Sequence, residues 1–187
     1  MARRIPVIRR EDVPEEYQEA YDEVAAPFGA NFGTGPTSVL INSPEMARRA
    51  NHLAEYLRKE SALSQKMREL AMLIAARTMD CQFVWNAHAA PGRRSGLSDE
   101  LVDSLRDRKP LPASLPQDEA VAARYGLEIC QDHQVGEGTF RAALDQFGAQ
   151  ALTEFTTYMG YYRILAMNAN AFTIDLPENI TEPLLPV

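Results

Sequence analysis

Apolar positions recur at helical spacing through most of the chain. Val13, Tyr17, Tyr21 and Val24 predict a helix over 11–26 with Pro14 in its first turn. Residues 1–10 before it read as extended, because Pro6 opposes a helix there. PFGANFGTGPTS at 27–38 carries three glycines and two prolines, breaks both periodicities and reads as a loop. A loop of that length in a compact domain often rims a pocket. A second helix opens at Ser43-Pro44-Glu45, serine as the cap and proline in the first helical position. Met46, Ala50, Leu53, Ala54 and Leu57 form its apolar face. A third begins at Ser64. Met67, Leu70, Ala71, Leu73, Ile74 and Ala75 make it apolar on nearly every side past its first turn, which marks it as central. Thr78-Met79-Asp80 interrupts it. A fourth helix starts near Cys81, with Asp80 or Thr78 as its cap, and ends before Gly96.

Ser98 caps a short fifth helix with Asp99 and Glu100 in its first turn. DRKPLPASLPQ at 107–117 is a proline-rich connector within the domain, since the helix before it is too short to close one. A sixth helix spans 118–133. Residues 136–147 give a turn and a short seventh capped by Thr139. A long eighth over 150–171 carries Leu152, Phe155, Tyr158, Met159, Tyr162, Leu165 and Ala166. The tail from Thr173, with Pro177, Pro183 and Pro186, is expected to wrap the surface or a neighbouring subunit. SVLI at 38–41 is the best strand candidate and is too short to found a sheet. The pattern predicts an all-α fold of about eight helices.

Composition narrows the function. A chain of 187 residues is large enough for one full core, so a single domain over 1–187 is expected. The net charge of -7 argues against a nucleic-acid partner. Arg3, Arg4, Arg9 and Arg10 are the one basic cluster, and Glu11, Asp12, Glu15 and Glu16 answer them, so a solvated terminal segment is expected. No apolar run approaches the roughly 20 residues of a bilayer span. MARRIPVIRRED has no apolar h-region, so neither a membrane nor secretion is expected. Cys81 and Cys130 lie far apart and form no disulfide framework, which makes the reducing cytoplasm the expected compartment.

The chemistry concentrates in SQKMRELAMLIAARTMDCQFVWNAHAAPGRRSG at 64–96, which sets Glu69, Cys81, Trp85 and His88 into the most apolar long segment. Core positions rarely keep Glu or His unless these are paired or functional. Cys81 and His88, seven apart, lie nearly in line on one helix face, with Val84 and Trp85 a turn from the cysteine. Cys81 at its helix start would meet free amides and the helix dipole, which favour a thiolate. If the two helices fold back across 78–80, the Glu69 carboxylate reaches the same cavity. A carboxylate facing an imidazole fixes its tautomer and makes a workable acid/base unit, or activates an adjacent thiol. Taken singly, each residue also has a structural reading. Glu69 would pair with Lys66, Arg68 or Arg77, His88 would be a hydrogen-bonded core histidine, Cys81 and Cys130 inert packing, and Trp85 core. His52 and His133 read as surface residues. Three possible ligands do not specify a metal site, and none is expected.

The combination resembles the signature of the carboxymuconolactone decarboxylase and alkylhydroperoxidase D superfamily. Its peroxidase branch has a Glu, then Cys-x-x-Cys twelve residues on, then a His four after the second Cys. Glu69, Cys81 and His88 match that frame, and Val84 stands at the second cysteine. RRSGLSDE after the histidine and the late GYYRILAMNANAF are similar to the family's helix junction and last core helix. The resemblance covers about 35–172, with an N-terminal helical extension and a proline-rich tail. It implies an alkylhydroperoxidase D-type helical bundle and a homo-oligomer (dimer, trimer or hexamer). It also implies a cofactor-independent lyase or isomerase acting on a small carboxylated lactone or related aromatic-catabolism intermediate. His88 would be the proton donor, Glu69 its partner, Trp85, Tyr158 and Tyr162 pocket walls, and Arg77 a carboxylate anchor. A thiol peroxidase using Cys81 is the alternative. Val84 removes the attacking thiol of the two-cysteine cycle, and Cys130 would have to fold close to replace it. A scaffold that keeps the core without catalysis is the third reading. The helices at 99–147 are insertions relative to the decarboxylase itself.

Overall fold

The computed structural model describes residues 3–177 and 179–186, the side chains of residues 30 and 31 excepted. Among the described residues there are eight α-helices and no strand. They are α1 (Glu15–Ala25), α2 (Thr37–Leu40), α3 (Pro44–Lys59), α4 (Gln65–Thr78), α5 (Gln82–Arg94), α6 (Asp99–Asp107), α7 (Gln117–Gln131) and α8 (Glu137–Phe172). None is long and apolar enough to cross a membrane. The chain divides into two compact units: residues up to 60 with 167–175, and residues 61–166 with the tail from 176.

In the first unit α1 packs on α3, and Tyr21, Val24, Ile41, Ala47 and Leu57 are buried. Arg3 is tied to backbone, its guanidinium donating to the carbonyls of Ile5 and Ser38 at 2.7 and 2.8 Å. Arg9 pairs with Glu11 and Asp12, and Arg10 with Asp22. Several local expectations need correction. Pro14 precedes α1 as its cap and does not sit inside it. The 27–38 loop holds a 3-10 helix over Ala26–Asn31, interrupted at Gly29, whose φ of 49° is left-handed. Of SVLI, Ser38, Val39 and Leu40 fall on α2, a single helical turn, and Ile41 is its C-cap.

In the second unit α4 is the central element. Leu70, Ala71, Leu73, Ile74, Ala75 and Ala76 are fully buried, and α5, α6 and α7 pack around it. Ser64 caps it, accepting from Met67 N–H at 3.3 Å. Ser43 and Ser98 occupy cap positions, but neither side chain accepts a helix amide. Thr139 lies inside α8 and donates to Glu128 at 2.7 Å instead of capping. The expected seventh and eighth helices meet at Gly148, whose backbone (φ 75°, ψ 166°) leaves the helical region and breaks α8. The tail lies on this unit, with Leu185 buried.

Candidate active site

The reversal between α4 and α5 sets the site. Asp80 adopts a left-handed φ of 48°, Cys81 N–H donates to Ala76 O at 2.8 Å, and Asp80 N–H donates to Arg77 O at 3.3 Å. These two bonds close α4 as a Schellman turn. The cap of α5 is therefore Cys81, neither Asp80 nor Thr78. Thr78 donates back to Ile74 O, and Asp80 accepts from Arg77 and Arg108.

Folding α5 back on α4 brings Glu69 and His88 together. Glu69 is 4 % exposed, and its Oε2 lies 3.0 Å from His88 Nδ1. Its other oxygen accepts from Gln65 Nε2 one turn earlier. Both carboxylate oxygens thus have partners, as a buried charge requires. Lys66, Arg68 and Arg77 are engaged elsewhere, with Asp118, Gln65 and Asp80. His88 is 21 % exposed at its side chain, so its ring can be reached. Tyr162 meets it edge-on, centroids 5.2 Å apart at 85°, and Tyr158 stacks on Tyr162 at 5.4 Å. Glu69, His88, Tyr162 and Tyr158 form one cluster.

The other candidates make no hydrogen bond to Glu69 or His88 among the described residues. Cys81 is fully buried, and burial pushes its thiol above the ordinary 9.0 despite the opposing amides of Val84 and Phe83. The helix-start thiolate is thereby corrected: desolvation outweighs the amides and the dipole. Cys81 makes no hydrogen bond to Glu69 or His88 among the described residues. Cys81 and Cys130 are both free, and burial also raises Cys130. Trp85 is 1 % exposed and donates Nε1–H to Pro183 O at 3.1 Å. Arg77 is 3 % exposed and bonds Asp80 at 2.5 Å and Pro186 O at 3.2 Å. Burial pulls its guanidinium below the ordinary value, with Asp80 opposing. No three His, Cys, Asp or Glu side chains are grouped closely enough to hold a metal ion, among the described residues.

Two contributors were missed from sequence. Gln65 stands one turn before Glu69, a spacing that signals a side-chain pair. Gly92 lets α5 approach α4: a Cβ there would lie 3.2 Å from Leu73 Cδ1 and 3.6 Å from Glu69 Cβ.

No curated protein matches this sequence. Solved structures do. One is an uncharacterized peroxidase-related protein with an alkylhydroperoxidase AhpD core from Ralstonia eutropha JMP134 (18% identity, TM-score 0.70, covering 94% of this chain and 93% of that one). Another is an uncharacterized peroxidase-related protein from Silicibacter sp. TM1040 (15% identity, TM-score 0.70, covering 95% and 93%). A third is a variant of the debrominase Bmp8 in complex with 2,3,4-tribromopyrrole (10% identity, TM-score 0.70, covering 95% and 94%). These likenesses establish the fold. Residues 44–123, the stretch that holds Glu69, Cys81 and His88, match the Carboxymuconolactone decarboxylase family, and the chain carries that region on an alkylhydroperoxidase D-like fold.

Proposed function

We propose that the protein is a cofactor-independent acid/base enzyme, a lyase or isomerase acting on a small carboxylated lactone or related ring. The observation that carries this reading is the buried Glu69 carboxylate 3.0 Å from His88 Nδ1. Glu69 holds Nδ1–H, which leaves Nε2 as the nitrogen that exchanges a proton with substrate. In a decarboxylation the bond between ring carbon and carboxylate breaks and carbon dioxide leaves. The electron pair stays on the conjugated system, and His88 Nε2–H protonates carbon. Solvent then reprotonates His88 Nε2. Tyr162 and Tyr158 offer a flat aromatic wall beside the imidazole. That a protein of this fold binds 2,3,4-tribromopyrrole supports a small flat ring as the occupant.

The peroxidase alternative finds less support. Val84 occupies the second-cysteine position and is 2 % exposed, and the Cys81 thiol is buried with its pKa raised. The reading includes self-association, supported by Met46, Leu53 and Tyr56 of α3, whose side chains are large, apolar and exposed. Light scattering of the purified chain tests that part.

The test of the chemistry is deuterium incorporation into product in heavy water, using carboxylated unsaturated lactones. His88→Gln is expected to lower turnover by about 10²–10⁴-fold, the usual contribution of a positioned general acid. Glu69→Gln should fall in the same direction, and Cys81→Ala should stay near wild type. Loss of activity in Cys81→Ala alone would transfer the chemistry to the thiol. Turnover indifferent to both His88 and Glu69 would leave the scaffold reading.

A further inference from the structure

Beside the α4–α5 turn lies a cavity of about 420 Å³, within the range of small-ligand sites. Arg77, Arg108 and Lys109 line it, together with the buried Ser104 and an apolar wall that includes Leu105 and Leu127. Neither Glu69 nor His88 belongs to its wall. Arg77 stands eight residues past Glu69 on α4, a rise of about 12 Å. The lining holds three cations and no carboxylate, in a chain of net charge -7.

The counter-charges stand outside the lining and are too few. Asp80 alone serves two guanidiniums, Arg77 at 2.5 Å and Arg108 at 2.7 Å. Asp107 is shared between Arg106 at 2.7 Å and Lys109 at 2.9 Å. Arg77 is 3 % exposed, and its Nε is buried without a hydrogen-bond partner. A buried guanidinium with an unmet donor and a shared ion-pair partner gains from an arriving anion. Arg108 and Lys109 are 58% and 65% exposed at their side chains, so both can turn to meet one. The leucines of the same lining give an apolar body a place to bury. We propose that this cavity binds a small organic anion, its carboxylate held by Arg108 and Lys109 in the field of Arg77 and its apolar body against Leu105 and Leu127. The site is separate from the Glu69–His88 pair and independent of the reaction assigned to it.

Calorimetric titration with benzoate tests this, with inorganic phosphate as the head-group-only probe. Arg108 sits at a left-handed φ of 53°, which asparagine also tolerates, so Arg108→Asn combined with Lys109→Gln removes both charges without straining the turn. Benzoate is expected to bind the wild type with a Kd of about 1 mM or tighter, and at least about tenfold more weakly to the double variant. Leu127→Glu, which sets a carboxylate in the apolar wall, should weaken it likewise, and His88→Gln should leave it unchanged. The proposal fails if benzoate does not bind, or if the double variant binds it as well as wild type. It fails equally if phosphate binds and benzoate does not, or if His88→Gln weakens benzoate, which would put the probe at the other site.

Discussion

At the scale of single residues, burial decides what each polar group can do. Glu69 and His88 satisfy one another 3.0 Å apart, while Cys81, twelve residues after Glu69, is sealed in and held as a thiol. The Glu–His spacing was legible in the sequence because two adjacent helices must fold back across a short break. The state of Cys81 was not, because a helix start promises a lower pKa and only the surrounding packing reverses it. That packing has a consequence for stability. Cys81 and Cys130 are both raised above 9.0 by burial. Well below that value both thiols are protonated in the native and unfolded states alike, and neither contributes a pH dependence. As pH rises through 9.0 the unfolded chain loses these protons first, so the native state binds more and stability falls until the native thiols ionise. Each thiol contributes a slope of up to about 1.4 kcal/mol per pH unit in that window. Denaturant unfolding followed from neutral pH to about pH 10 should show the decline. A Cys81→Ala, Cys130→Ala variant should lose less over the same range. Equal slopes for the two proteins would refute the assignment.

At the scale of elements, helix periodicity located the helices well and their caps poorly. The reason is that two of the caps come from elsewhere in the chain. Glu119 of α7, 1 % exposed, accepts from Ser98 N–H at 3.3 and 3.2 Å at the head of α6. Glu128 of α7 accepts from Gly136 N–H at 3.0 Å and from Thr139 at the head of α8. A local reading gives those roles to Ser98 and Thr139, since it cannot see a carboxylate arriving from a packed neighbour. The fit of α7 on α4 is equally non-local. Gly126 faces Ile74, and a Cβ there would come within 2.6 Å of Ile74 Cδ1 and 3.0 Å of Met159 Sδ. Ile74 is fully buried and has little room to give way. Alanine would gain about 1 kcal/mol in helix propensity. Overpacking of a closed core costs about 1–3 kcal/mol, so the balance is against it. Gly126→Ala is expected to lower the urea midpoint with an unchanged slope, whereas Gly138→Ala, where the added carbon meets nothing within 4 Å, should not.

At the scale of the whole molecule, the last few residues complete the unit that carries the site. The tail was expected to wrap a surface, and here it lies along α5 of its own chain. Gln82 brackets Leu185, donating to its carbonyl at 2.8 Å and accepting its amide at 2.9 Å. Trp85 donates to Pro183 O, Arg77 to Pro186 O, and Arg93 meets Glu182 at 3.3 Å. Asn86 is buried on the same helix with its Oδ1 unpaired. Residues on both sides of Cys81 therefore engage the tail. Burial of Leu185 contributes about 1.5–3 kcal/mol, and each neutral hydrogen bond about 1 kcal/mol more. Partial compensation by water leaves an expected loss of at least about 2 kcal/mol on truncation after Thr181. Trp85 is the chain's single tryptophan, so its emission reports the event directly. The truncated protein should show a red-shifted emission, a lower unfolding midpoint and faster alkylation of Cys81 under native conditions. Gln82→Ala should give a smaller change of the same sign, because it removes two bonds and leaves Leu185 to pack. Unaltered emission and midpoint after truncation would mean that the tail rests on α5 without stabilising it, and that the core alone keeps Cys81 sealed.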